Sequence, residues 1–142
     1  MQDKPLIGWR EWVALPELNI PRIKAKVDTG ARTSTLHAFD VTPFERDGQK
    51  MVRFSVHPEQ QSLEYVVTCE LPVLDCRAVT DSGGHREERY VVTTLLSLGE
   101  SVWPIEMTLT NRDTMKFRML LGRTAMRRRY IVDPAKSFLS GK

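Results

Sequence analysis

Ile23-Lys24-Ala25-Lys26-Val27-Asp28-Thr29-Gly30-Ala31 is the stretch on which the reading of this chain turns. Ile23, Ala25 and Val27 alternate with Lys24 and Lys26, the period-two pattern of a strand with one buried face. The strand runs directly into a carboxylate. Gly30, two residues on, lets the backbone bend tightly and approach a neighbour closely, and Thr29 can lock the loop through its hydroxyl. Taken alone, Asp-Thr-Gly is also an ordinary turn composition. A functional reading therefore needs a second feature.

Outward from this loop the chain reads as short strands separated by turn residues. Trp9 to Leu15 forms a strand, Pro16 to Asn19 turns it, and Ile20 to Val27 returns. Ser34 to Phe39 resumes extended, and Asp47-Gly48 is a two-residue hairpin signal before Met51 to Val56. Tyr65 to Cys69 and Leu71 to Leu74 follow. The polar run Thr80 to Arg89, flanked by Arg77-Ala78-Val79 and Tyr90-Val91-Val92, predicts a long hairpin with Gly83-Gly84 at its tip. Thr93 to Leu98 and Val102 to Leu109 pair around Gly99, Asn111 to Asp113 turns, and Met115 to Leu121 is a further strand. Only Thr124 to Arg129 reads as helix, about two turns.

Composition narrows the function classes. The 142 residues suit one domain over 1–142, with 41% hydrophobic and 27% charged residues. No apolar run approaches the roughly 20 residues of a membrane span, and the first residues lack a signal-peptide core. Two cysteines, Cys69 and Cys76, make no disulfide framework or zinc pair. The expectation is a cytoplasmic chain. Net charge is +3, carried by 14 Arg and 7 Lys. Arg grips a carboxylate with a two-pronged fork where Lys offers a point charge, so an Arg-lined cleft for acidic ligands competes with a solvated surface. Arg127-Arg128-Arg129 is the one basic run, too short for a nucleic-acid stripe, and neither nucleic acid nor membrane is expected as a partner.

The second feature is Met119-Leu120-Leu121-Gly122-Arg123, an apolar run closing on Gly-Arg just before the helix. It resembles the segment that threads beside the aspartate loop in retropepsins. The order of strand, Asp-Thr-Gly-Ala, strands, glycine-tipped hairpin, Leu-Leu-Gly-Arg and helix is the retropepsin order. Lys26 to Ser34, Leu36-His37-Ala38, Thr108 to Arg112, Met119 to Arg123 and Val132-Asp133 together resemble a bacterial retropepsin-like family. Its members are often labelled ATP-dependent zinc proteases and occur beside RimK-type glutamate ligases. The sequence itself lends that label no support. It has no His-Glu-x-x-His, its three histidines at 37, 57 and 85 are widely spaced, and no phosphate-binding glycine loop occurs.

The resemblance implies a mainly β fold, a closed or half-open β-barrel of the retropepsin (acid protease) type with one short C-terminal helix. It implies Asp28, Thr29 and Gly30 as the catalytic loop. Ala31, Arg32, Ser82, Gly83 and Gly84 would contact substrate, and Leu121, Gly122 and Arg123 would support the loop. No metal and no cofactor are expected. Aspartic proteolysis needs two carboxyl groups sharing a proton; two carboxylates about 3 Å apart at an effective dielectric near 20 repel by roughly 5 kcal/mol, about four pKa units. One therefore stays protonated, as in the pepsin pair. A chain with one such loop must borrow the second from a two-fold copy, so a homodimer is expected. Asp81-Ser82-Gly83 is a second triplet of the type, but 53 residues from Asp28 leave too little chain for a lobe. It reads instead as a flap tip closing over substrate.

The expected function is an aspartic endopeptidase acting on acidic or glutamate-tailed peptides or proteins, with Arg32 reading a carboxylate. The alternatives are a catalytically silent peptide-binding module of the same fold and, more weakly, a zinc hydrolase. His37 reads as a structural hydrogen-bonding residue. Arg123 reads as tied to a neighbouring acid, and the tryptophans as core or dimer contacts.

Overall fold

Strand alternation settles which faces are buried. The computed structural model describes residues 4–59, 64–80, 83–84, 86–111 and 117–140. Strand β1 (Leu6–Ile7) leads into β2 (Arg10–Leu15), whose Glu11, Val13 and Leu15 point inward. A 3-10 turn at Pro16–Leu18 ends on Asn19 in the left-handed region, φ 57°, which a short amide side chain tolerates. The chain then reverses into β3 (Ile20–Asp28), burying Ile20, Ile23, Ala25 and Val27.

After the Asp28 loop come β4 (Ser34–His37), buried throughout, and β5 (Phe39–Arg46). Strand β6 (Gln49–Val56) pairs antiparallel with β5. The two are joined at Asp47 (φ 53°) and Gly48 (φ 80°), both left-handed as a type I′ turn requires. Then follow β7 (Val67–Pro72), β8 (Asp75–Thr80), β9 (Arg86–Leu98), β10 (Ser101–Thr110) and β11 (Met119–Gly122). A single helical turn α1 (Arg123–Met126) precedes β12 (Ile131–Val132).

The fold is mainly β, and its main sheet returns on itself. The order β10-β4-β11-β3-β2-β9-β8 carries an additional β9–β10 pairing, so six strands form a ring with β8 attached outside it. The seam is β2–β9, where only Ala14 and Ser97 are in register. Glu17 supplements it: one carboxylate oxygen accepts the Leu95 amide at 3.0 Å and the Thr94 hydroxyl at 3.3 Å. Leu15, Ile20, Ile23, Leu36, Leu96, Leu98, Met107, Met119 and Leu121 fill the interior, all fully buried. Complete burial of each such side chain contributes about 1.5–3 kcal/mol.

Two features depart from the sequence reading. Strands β5-β6-β7 form a separate three-stranded sheet, Phe54 and Val56 packing into the common core. The helix is one turn rather than two. No side chain caps it, Arg127 already leaves helical geometry (ψ 130°) and Arg128 is left-handed. Leaving the helix, the chain lays Arg129 over Trp103 at 4.5 Å and enters β12. The predicted turn at Asn111 to Asp113 and the start of the following strand fall largely outside the described residues.

The two ends meet within one chain. Strand β1 pairs parallel with β12, and the segment beyond β12 folds back over β2. Trp12 stacks on Phe138 at 5.7 Å, and the wholly buried Glu11 carboxylate gathers that segment. It accepts the amides of Gly8 (2.7 Å), Leu139 (2.8 Å) and Ser140 (3.0 Å) and the Ser140 hydroxyl (2.6 Å). Burying a carboxylate is costly unless its lone pairs are satisfied, and here four donors satisfy them. Among the described residues no helix is long and apolar enough to cross a membrane.

Candidate active site

Asp28 ends β3 at the mouth of a cleft of about 720 Å³, half-buried, with Thr29 and Gly30 exposed after it. The loop is held by its own backbone. Asp28 Oδ1 accepts the Gly30 amide at 3.0 Å and the Asp28 carbonyl accepts the Ala31 amide at 3.2 Å. A Cβ on Gly30 would come within 3.3 Å of that same oxygen, so glycine gives the carboxylate its room. Among the described residues the Thr29 hydroxyl makes no hydrogen bond. The lock expected from Thr29 is supplied from β11 and α1 instead.

That support is detailed. Strand β11 runs parallel to β3 with Leu121 beside Val27 and Gly122 beside Asp28. The Gly122 amide donates to Ser34 Oγ at 3.0 Å, and a Cβ there would fall 2.6 Å from the Thr33 carbonyl carbon. Only glycine fits. The Arg123 amide donates to the Ala31 carbonyl at 2.8 Å, and its guanidinium reaches the Gly30 carbonyl at 3.3 Å. Arg123 is thus tied to a carbonyl, not to the neighbouring acid expected of it. Thr124 closes the loop from its hydroxyl, 2.8 Å from the Arg32 carbonyl. Leu121, Gly122 and Arg123 therefore lie against the aspartate loop.

The cleft brings Asp28, Gly30, Ala31 and Arg32 together with the β8–β9 hairpin, through Arg77 to Thr80 and Arg89. Gly83 and Gly84 stand exposed at the hairpin tip, outside the lining. Ser82, with Asp81, lies outside the described residues. His37 is buried on β4, its amide bonded to the Arg118 carbonyl at 2.8 Å, and does not line the cleft.

The sequence reading missed several lining residues. Thr35 and Thr108 share a hydrogen bond of 3.1 Å on the cleft floor, from strands 73 residues apart. Arg89 is buried, with Nε 2.6 Å from Glu87 Oε1, and the Thr110 hydroxyl donates to that same oxygen at 2.6 Å. Arg77 donates to Asp75 at 2.8 Å and reaches Glu106 at 3.2 Å. The Arg77 bond, followed by the Cys76 amide, holds the Asp75 carboxyl below the usual range. Strand alternation along β4, β9 and β10 could have grouped the threonines. Only the hairpin register could have grouped the arginines.

Residues 6–142 match the model of a family described as retropepsin-like aspartic endopeptidase RimB. The chain belongs to the RimB-like family. Curated relatives include probable alpha-L-glutamate ligases. That from Shewanella pealeana is 48% identical over 140 residues, 99% of this chain and 31% of the relative. That from Desulfotalea psychrophila is 52% identical over 132 residues, 93% of this chain and 28% of the relative. The chain thus spans about a third of the length of these relatives. A crystal structure of a Legionella pneumophila protein of unknown function superposes with TM-score 0.82 at 29% identity, covering 97% of this chain and 99% of that one.

Proposed function

We propose that this chain is an aspartic endopeptidase that works as a homodimer, one Asp28 from each copy, on acidic or glutamate-tailed peptides or proteins. The observation that carries the reading is Asp28 itself: a carboxylate at the end of a core strand, opening on a cleft and held by a loop whose carbonyls are secured by Arg123 and Thr124 of α1. The six-strand ring is, on this reading, the half-barrel of an acid protease. The β8–β9 hairpin is its flap.

In the dimer the two carboxyl groups share one proton. The ionised one takes a proton from water as its oxygen attacks the scissile carbonyl carbon. The protonated one donates a hydrogen bond to the carbonyl oxygen as that oxygen gains charge. Proton transfer to the amide nitrogen then releases the amine. The hydrogen bond from Gly30 to Asp28 Oδ1 fixes the carboxyl plane, and orientation of this kind supplies much of an enzyme's advantage.

An acidic substrate is supported by Arg32, exposed at the cleft, and by the relatives named as alpha-L-glutamate ligases. A ligase that adds glutamate and a peptidase that removes it act on the same kind of tail. The test compares glutamate-rich and neutral peptides as substrates for the native chain, Asp28→Asn and Arg32→Ala. Cleavage of the glutamate-rich peptide, abolished in Asp28→Asn and made less selective in Arg32→Ala, is expected. Tight binding without turnover would instead favour a silent peptide-binding module.

A further inference from the structure

The underside of the β8–β9 hairpin carries an arrangement that strand pairing alone disfavours. Arg77 and Arg89 stand directly opposite one another in the antiparallel register, and both line the cleft. Directly opposed like charges on one sheet face repel. Each arginine is pinned from outside the pair, Arg77 by Asp75 and Glu106, Arg89 by Glu87. The pins also orient the forks.

Arg89 is the more telling of the two. Its side chain is 8% exposed, and Glu87 engages it through Nε alone. Nη1 has only the Thr35 and Thr108 hydroxyls, each at 3.5 Å, the far limit of a hydrogen bond. Among the described residues Nη2 makes none. The guanidinium keeps donor capacity that no neighbouring side chain among the described residues takes up. Structural pairing with Glu87 accounts for one edge of the fork and leaves the other. The charge balance of the cleft agrees: its described lining holds Arg32, Arg77 and Arg89 against Asp28 as the lone carboxylate.

We propose that Arg77 and Arg89 form a carboxylate-binding subsite under the hairpin, which holds an acidic side chain of the bound peptide. Nη groups of both residues donate to the two carboxylate oxygens, a two-pronged, charge-assisted arrangement. This assignment rests on the cleft being the substrate cleft and, for its symmetry, on the dimer proposed above. A two-fold axis through the Asp28 pair repeats the subsite, so acidic side chains on both sides of the scissile bond are held. Arg32, on the aspartate loop, is a separate contact.

The experiment measures binding apart from cleavage. A fluorescently labelled hexaglutamate peptide and its hexaglutamine isostere are titrated by anisotropy into Asp28→Asn chains that otherwise carry the native residues, Arg77→Gln, Arg89→Lys or Arg22→Gln. Arg22 lies over Trp12 at 3.8 Å, outside the cleft lining, and serves as control. Hexaglutamate is expected to bind at least about tenfold tighter than hexaglutamine, the scale of one charged hydrogen-bond pair. Arg77→Gln and Arg89→Lys should each cut that ratio severalfold, and Arg22→Gln should preserve it. Arg77 is half-buried on an outer strand, so its variant decides the matter if Arg89→Lys fails to fold. An unchanged ratio in the folded cleft variants, or no preference at the outset, overturns the subsite. Selective binding by a native chain that never cleaves would sustain the subsite and remove the peptidase reading.

Discussion

Replacing Gly122 by alanine should cost stability and displace the candidate catalytic loop together. The added methyl would lie 2.6 Å from the Thr33 carbonyl carbon, 2.8 Å from the Ser34 nitrogen and 2.9 Å from the Thr33 oxygen, all backbone atoms. Against an ordinary contact of 3.4 Å, β11 and the 33–34 segment must part by about 0.8 Å. Forced overpacking of this kind costs about 1–3 kcal/mol. The Gly122–Ser34 and Arg123–Ala31 hydrogen bonds stretch as the segments separate, at roughly 1 kcal/mol each. A total of about 3–5 kcal/mol is expected. For a chain of this length, unfolding entropy near 2.1 cal/mol/K per residue makes that a fall in Tm of roughly 10–17 °C. Urea denaturation followed by tryptophan fluorescence measures the loss, and any peptide cleavage should fall further than stability, because Gly122 is in register with Asp28. A variant within about 1 kcal/mol of the native chain would show that β11 does not clamp the loop as described.

Other outcomes follow from the same structure. Glu11→Ala removes the acceptor of three amides and one hydroxyl; a loss of about 3–5 kcal/mol is expected, with hydrogen exchange rising first at Leu139 and Ser140, and unchanged exchange there would refute it. Thiol labelling at pH 8 should modify exposed Cys76 and spare Cys69, whose thiol burial pushes up to about 11. The neutral thiol is favoured in the folded state, so its contribution holds below the unfolded pKa near 9 and fades as pH rises toward 11. A Cys69→Ser chain whose stability changes with pH across that window just as the native chain's does would contradict this. Asp28→Asn should leave Tm within a few degrees, because asparagine can still accept from Gly30, while abolishing cleavage; retained activity would move the chemistry elsewhere.

How far the sequence spoke depended on whether a feature was local. The contact between the aspartate loop and the Leu-Leu-Gly-Arg segment was legible because an apolar run closing on glycine announces close backbone approach, and Gly122 stands beside Asp28. Asp47-Gly48 was legible because two left-handed positions in succession favour that pair. The separate β5-β6-β7 sheet was not, since alternation within a strand says nothing about which sheet it joins. The Arg77–Arg89 pairing depends on the length of the intervening tip, and one residue more would turn the two to opposite faces. Glu11 shares the inward face of Val13 and Leu15, but three of the four donors that make its burial tolerable lie some 128 residues away. The helix was overread because Arg127 to Arg129 suit a helix by propensity, while the Trp103 contact and the β1–β12 pairing draw the chain out of it.

The most direct measurement is a mixing experiment on peptide cleavage. Native chain at fixed concentration is titrated with Asp28→Asn chain, and initial rates on a glutamate-rich peptide are recorded. If the active unit joins one Asp28 from each of two copies, mixed pairs hold a single carboxylate and the rate should fall toward zero as the variant comes into excess. A rate that stays at its starting value throughout, in mixtures shown by native mass spectrometry to contain mixed pairs, would mean that one chain suffices.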